Sequence, residues 1–200
     1  MWTGWSRSIR RSCGHTSTPP AGPPTRCRGY EPADHAIGRS RGGLTTKVHL
    51  ATDGAGHGLA VLLTPGQTND SPLLPSLLDA VMVPRLAGGP PRRNPDVVIA
   101  DRAYSAASNR TLLRPKRIQT VIPERRDQIA NRKRKGSVGG RAPGFDAETY
   151  KRRNVIERAF NKVKHWRAVA TRYDKLAVTY RAGFVLALIV GWLKSLGDTT

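Results

Sequence analysis

The stretch from Tyr150 to Lys164, YKRRNVIERAFNKVK, constrains this chain more than any other. It is a helix-forming run in which one carboxylate, Glu157, sits among basic side chains. At about 100° per residue, Tyr150, Arg153, Glu157 and Lys164 fall within a stripe roughly 60° wide. Val155, Ile156, Ala159, Phe160 and Val163 form the adjoining apolar face, which should dock on a core. Glu157 is therefore expected at the rim of a packed face. The plainest interpretation is an exposed helix carrying an Arg153–Glu157 surface pair worth a few tenths of a kcal/mol, ~0.3. A second carboxylate, Asp101, gives the stripe another meaning. It follows VVIA, a short β-branched run of the kind that forms a central strand covered on both faces. A carboxylate at the C-terminal end of such a strand lies where ligand sites form in α/β sheets. It could equally begin a turn or cap the helix expected at 105–113.

Charge narrows the partner. Lys and Arg number 34 against 14 Asp and Glu, a net charge of +20. That imbalance points to a polyanion. The basic residues are spread through the chain instead of forming one amphipathic cluster, which favours nucleic acid over a membrane surface. Cys13 and Cys27 show no metal-ligand spacing and are too few for a disulfide scaffold, as suits a reducing cytoplasm. The N-terminus has no apolar core of a signal peptide. The longest apolar run, Ala182 to Leu193, is short for a bilayer and reads as a buried helix.

In chain order, residues 1–29 have no period of 2 or 3.6 and are expected to be unstructured. GRSRGG at 38–43 is a basic glycine-rich loop. Residues 44–65 read as a hairpin turning at Asp53-Gly54. An amphipathic helix is expected from Asp70 to Val83, with Ser71 as cap and Pro72 at its first position. TVIPE at 120–124 is a further strand. The Arg, Lys and Gly-rich residues 125–144 form a loop, either simply solvated or ordered by a phosphate backbone. The Glu157 helix would run to about Thr171, and a last helix from about Val178 to Leu196.

The spacing Tyr150, Arg153, Glu157, Lys164 resembles the signature of a large group of DDE transposases of bacterial insertion sequences. The words GRSRGGLTTKVHL, TPGQTNDSP, ADRAYSAASNR, VIPERRDQ and ATRYDKLAVTYRA resemble the same group, so the likeness covers Tyr30 to Leu196. The resemblance implies an α/β fold, an RNase H-like mixed sheet flanked by helices over 30–196. Two Asp and one Glu would hold two Mg²⁺ or Mn²⁺ ions there, Asp101 and Glu157 among them. Such ions activate a nucleophile and stabilise a leaving oxygen in phosphodiester cleavage and strand transfer, and Mg²⁺ prefers carboxylate oxygens. Arg153 and Lys164 would hold phosphates, and Tyr150 would position the DNA or the Glu helix. Arg39, Arg41, Lys47, Arg132, Lys133, Arg134 and Lys135 are further expected contacts to double-stranded DNA, the terminal inverted repeats and the target. A homo-oligomer is also compatible, with the last helix packed internally.

The sequence departs from the group at one point. The first Asp should lie on a strand before GRSRGG, yet no acidic residue precedes Glu31. Back-translation of Ser8 to Pro20 and a shift of frame gives Val-Asp-Ser-Ser-Val-Val-Arg-Ala-His, which resembles the group's first catalytic strand. Residues 1–28 are thus expected to be out-of-frame translation, with the missing Asp encoded across the codons of Ser8 and Ile9. The chain would then be the C-terminal part of a transposase, with its first strand missing. Without that Asp it would cut DNA poorly, and a non-cleaving DNA-binding regulator is the alternative. A basic RNA-binding protein also fits the charge, but gives Asp101 and Glu157 no purpose.

Overall fold

The computed structural model describes residues 2–10 by their backbone, and residues 35–40 and 43–197 in full. Six strands form one mixed sheet: β1 (Trp2–Arg10), β2 (Gly38–Ser40), β3 (Gly43–Asp53), β4 (Gly58–Pro65), β5 (Val97–Ala100) and β6 (Gln119–Val121). The order is β2-β3-β1-β5-β6, and β4 also pairs with β3. β3 and β4 form the expected hairpin, His49 lying opposite Leu62. Its turn is built by Asp53, whose Oδ1 accepts from the backbone N–H of Ala55, Gly56 and His57. Gly56 sits there at φ 95°, a conformation that glycine takes without a steric penalty.

β1 corrects two expectations: residues 2–10 are not unstructured, and a strand does occupy the first position of the sheet. β1 runs antiparallel to β3, from Trp2 opposite Asp53 to Arg10 opposite Thr45. It is parallel to β5, with Gly4 opposite Ala100. The strand has no alternating pattern of its own. The open edges of β3 and β5 supply hydrogen-bonding partners for almost any backbone laid between them. The remainder of the segment expected to be unstructured, 11–29, lies outside the described residues.

Helices cover both faces. On one, α1 (Leu74–Asp79) and α2 (Ala107–Leu113) bury Leu74, Leu77, Leu78 and Leu113 against Ala51, Ala60 and Val98. On the other, α5 (Asn154–Lys164), α6 (Arg167–Ala170) and α7 (Ala177–Gly197) bury Ile156, Phe160, Val163, Val169, Tyr180 and Phe184 against Val48, Leu50 and Val61. Neighbours such as Leu50 and Ala51, or Ala60 and Val61, belong to opposite cores, as the two-residue period of a strand requires. α1 is shorter than the helix expected over 70–83. Residues 71–73 form a 3-10 turn, and Pro75 has no N–H to donate, so the regular helix begins only at Leu74.

Three further expectations need correction. The helix from Tyr150 to Thr171 is in three parts: α4 (Ala147–Lys151), α5 and α6. Between α4 and α5 the N–H groups of Arg152, Arg153, Val155 and Ile156 bond three residues back, so the chain tightens without leaving the helical region. The region 125–144 contains α3 (Arg126–Arg134). Arg125 N–H donates to Gln128 Oε1 at 3.2 Å, Asp127 lies in the first turn, and Arg132, Lys133 and Arg134 close the last turn, matching the helix dipole at both ends. The last helix spans 21 residues and by length and composition could cross a membrane. Only one stripe of it is buried, Tyr180, Phe184 and Ala187, while Val178, Leu186, Leu193 and Leu196 are exposed. Arg181 Nε donates to Val61 O at 3.0 Å and Trp192 Nε1 to Gly58 O at 3.2 Å, which fixes α7 on β4.

Candidate active site

Asp101 follows directly on Val98, Ile99 and Ala100, all three with no exposed surface. Its backbone is extended, and its Oδ1 accepts from Ala103 N–H at 2.8 Å, capping the 3-10 turn Arg102–Tyr104. The two readings open in the sequence thus coincide: Asp101 caps a turn and stands at the C-terminal end of a buried strand. Tyr104, in that turn, is completely buried, and its hydroxyl lies 3.2 Å from His49 Nδ1. His49 Nε2 is 2.8 Å from Thr64 Oγ1. Burial holds the His49 imidazole neutral, with a pKa lowered to about 4. Asp70 opposes that shift and Lys47 adds to it.

Glu157 lies in the first turn of α5, and its Oε1 is 3.0 Å from Arg153 Nη2. The apolar face read from the sequence is buried in full: Val155, Ile156, Ala159, Phe160 and Val163. Glu157 is therefore at the rim, with its side chain 39% exposed. Tyr150 packs at 5.3 Å on Phe145, and the Arg153 guanidinium lies over its ring at 5.8 Å. Burial first of all raises the pKa of the Tyr150 phenol. The charges of Asp101 and Glu157 push the same way, and Arg153 and Arg102 push against them. Lys164, half-buried, is seven residues beyond Glu157, roughly 10 Å along α5. Arg102 belongs to this group and was not singled out in the sequence, where it appeared only as the residue after Asp101.

Asp101 and Glu157 offer hard oxygen donors of the type that Mg²⁺ and Mn²⁺ take. The set is short in number, since no group of three or more His, Cys, Asp or Glu side chains could hold a metal among the described residues. The register gives one reason. Gly4 lies opposite Ala100, which puts Trp5 level with Asp101, and neither Gly4 nor Trp5 carries a carboxylate.

The expected DNA contacts divide into two kinds. Arg39 on β2, and Lys133, Arg134 and Lys135 at the end of α3, are exposed. Arg41 lies outside the described residues. Lys47 instead donates to Thr68 O at 2.7 Å and to Asp70 Oδ1 at 2.9 Å, and Arg132 pairs with Glu124. Internal carboxylates hold these two cations. Arg172 is the largest fully buried side chain among the described residues. Its guanidinium donates to the carbonyls of His35, Ala36, Asp174 and Lys175 and to Thr46 Oγ1, and packs on the Tyr180 ring at 5.2 Å. Nothing in the sequence separates it from the other arginines.

Residues 14–192 match the profile of the transposase DDE domain. The chain is 34% identical over 132 residues to a protein of Burkholderia cepacia assigned as the transposase for insertion sequence element IS402. That alignment covers 66% of this chain and 55% of the relative's length. It is 31% identical over 151 residues to a Brucella ovis protein assigned as the transposase for element IS6501, covering 76% of this chain and the relative's full length. No solved structure matches the chain significantly.

Proposed function

Because the chain belongs to the transposase DDE domain family, we propose that it is the catalytic part of an insertion-sequence transposase that cleaves and joins DNA at transposon ends. The observation that carries this reading is the placement of the two carboxylates: Asp101 directly after the buried strand β5, and Glu157 at the rim of the packed face of α5 with Arg153 3.0 Å away. A sheet in which three antiparallel strands, β4, β3 and β1, are continued by parallel β5 and β6, with helices on both faces, supports an RNase H-like core.

The family uses divalent metal ions, which activate the attacking oxygen and stabilise the leaving one during in-line displacement at phosphorus. Asp101 and Glu157 would hold them. Arg153, at 3.0 Å from Glu157, fixes that carboxylate and adds positive charge beside the phosphate. Tyr150 braces the joint between α4 and α5, and Lys164 and Arg102 bind flanking phosphates.

The same geometry favours a second, non-cleaving reading of this chain as it stands. With no acidic residue level with Asp101 on β1, the carboxylate set is incomplete among the described residues, and the chain would bind DNA and regulate transposition without cutting. A nicking assay on a supercoiled plasmid carrying the element's ends decides between them. The 200-residue chain should cut little. A chain with its first strand restored from the upstream frame should cut with Mg²⁺, and Glu157→Gln in that protein should abolish cutting while DNA affinity stays within about twofold. Efficient Mg²⁺-dependent cutting by the unrestored chain, or undiminished cutting by the restored protein carrying Glu157→Gln, would overturn the assignment of the site.

A further inference from the structure

At the C-terminal end of α2 the chain makes a tight turn. Arg117 N–H donates to Arg114 O at 3.0 Å, and Ile118 N–H to Leu113 O at 3.2 Å. This pair of bonds caps a helix through one residue in the left-handed region, accompanied by an apolar contact like that of the buried Leu113 and Ile118. The left-handed residue is Arg117, at φ 55°. Glycine suits such a position, whereas a side chain there is strained. Strain of this kind at a non-glycine residue asks for a compensating use of the side chain.

The Arg117 side chain lines an open cleft of ≈410 Å³ together with Arg110, Arg114, Gln119, Thr120 and Gly144. Among the described residues, no acidic side chain lines it. Arg114 and Arg117 are exposed, and neither guanidinium has a hydrogen-bond or ion-pair partner among the described residues. Arg110 is held on the wall by its bond to Ile122 O at 2.7 Å. The charge of Glu124 acts on Arg110, whereas Arg114 and Arg117 present planar guanidinium forks of the kind that match phosphate oxygens in pairs.

The cleft lies toward the opposite end of β5 from Asp101. Gln119 is opposite Val97, four residues before Asp101, so its level is roughly 13 Å from that of Asp101. That span is about four nucleotides of duplex rise. The wall at Gly144 continues into Phe145, Asp146 and Tyr150.

We propose that the Arg110, Arg114 and Arg117 cleft is a second DNA-backbone site, which grips duplex phosphates at least about four nucleotides from those at Asp101 and Glu157. This rests on the reading of the chain as a transposase core. The test is fluorescence anisotropy of the full chain with a short labelled duplex over a range of salt, beside thermal melting. Arg117→Gly should raise Tm by relieving the strained turn, yet weaken binding. Arg114→Ala with Arg117→Gly should lower the slope of log affinity against log salt by about two, near 0.9 per lost phosphate contact. An unchanged slope in the double variant, with salt-dependent binding intact in the wild type, would overturn the cleft and leave the transposase reading standing. Absence of duplex binding by the wild type would overturn both. Loss of structured-RNA binding without loss of duplex binding would reassign the cleft to RNA, and a lowered Tm for Arg117→Gly would remove the argument from strain.

Discussion

Arg172 and Arg117 each follow a short helix, α6 and α2, yet one guanidinium is fully buried and the other faces solvent. Arg172 donates to acceptors from residues 35–36, from β3 and from 174–175, and so ties three separate segments behind α7. Arg117 has no such partner among the described residues and sits in a strained turn beside two other arginines. The difference teaches that a charge of +20 is not one uniform basic surface. Some cations hold the architecture, Arg172, Lys47 and Arg132 among them. Others, Arg114, Arg117 and Lys133 to Lys135, remain available to a polyanion.

The comparison breaks first at Arg172. Arg172→Met should cost about 3 kcal/mol or more in urea unfolding, because it leaves several buried acceptors without donors. Arg172→Lys should recover only part of this, since an ammonium cannot reproduce a five-donor fork. An unchanged urea midpoint would show that Arg172 is not architectural.

His49, on the same architectural side, gives the next largest effect. Its folded pKa of about 4 lies below the unfolded value of 6.5. The unfolded chain therefore takes up a proton that the folded chain refuses. Stability is full above about pH 6.5 and should fall by about 3 kcal/mol in total as pH drops to about 4. His49→Asn should flatten that window, and a wild-type stability profile without this loss would contradict a buried neutral imidazole.

Lys47 and Arg117 sharpen the contrast with smaller effects of opposite sign. Lys47→Ala should destabilise by about 1 kcal/mol through its half-buried bonds to Thr68 and Asp70, and leave the salt slope of DNA binding unchanged. A lower slope would return Lys47 to the DNA contacts. Arg117→Gly should stabilise by roughly 0.5 kcal/mol while weakening DNA binding. Smallest of all, Asp101→Asn and Glu157→Gln should each change stability by less than about 0.5 kcal/mol. Asn also caps helical turns, and Glu157 is 39% exposed.

Much of the scaffold was legible in the sequence because period and capping act locally. The β3–β4 hairpin, the buried run before Asp101 and the apolar face of α5 all follow from patterns of two or 3.6 residues. What was illegible depends on partners distant in the chain. Residues 2–10 have no strand pattern and become β1 through the edges of β3 and β5. Tyr150 and Glu157 are readable as a stripe, but the tightened joint at 152–156 between them is set by hydrogen bonds that propensity does not distinguish from a regular helix. The density of Arg, Lys and Gly hid α3, whose capping Gln128 and terminal basic residues were nonetheless present. The fates of Lys47, Arg132 and Arg172 depend on Asp70, Glu124 and distant carbonyls, which no spacing rule reveals.

The most direct test of the central claim is Mn²⁺ binding to the 200-residue chain, followed by electron paramagnetic resonance. One weak site is predicted, weakened at least about tenfold by either Asp101→Asn or Glu157→Gln, with no change in Tm, as expected when two carboxylates share a metal. A Mn²⁺ affinity indifferent to both substitutions, or lost with only one of them, would contradict a site shared by the end of β5 and the first turn of α5.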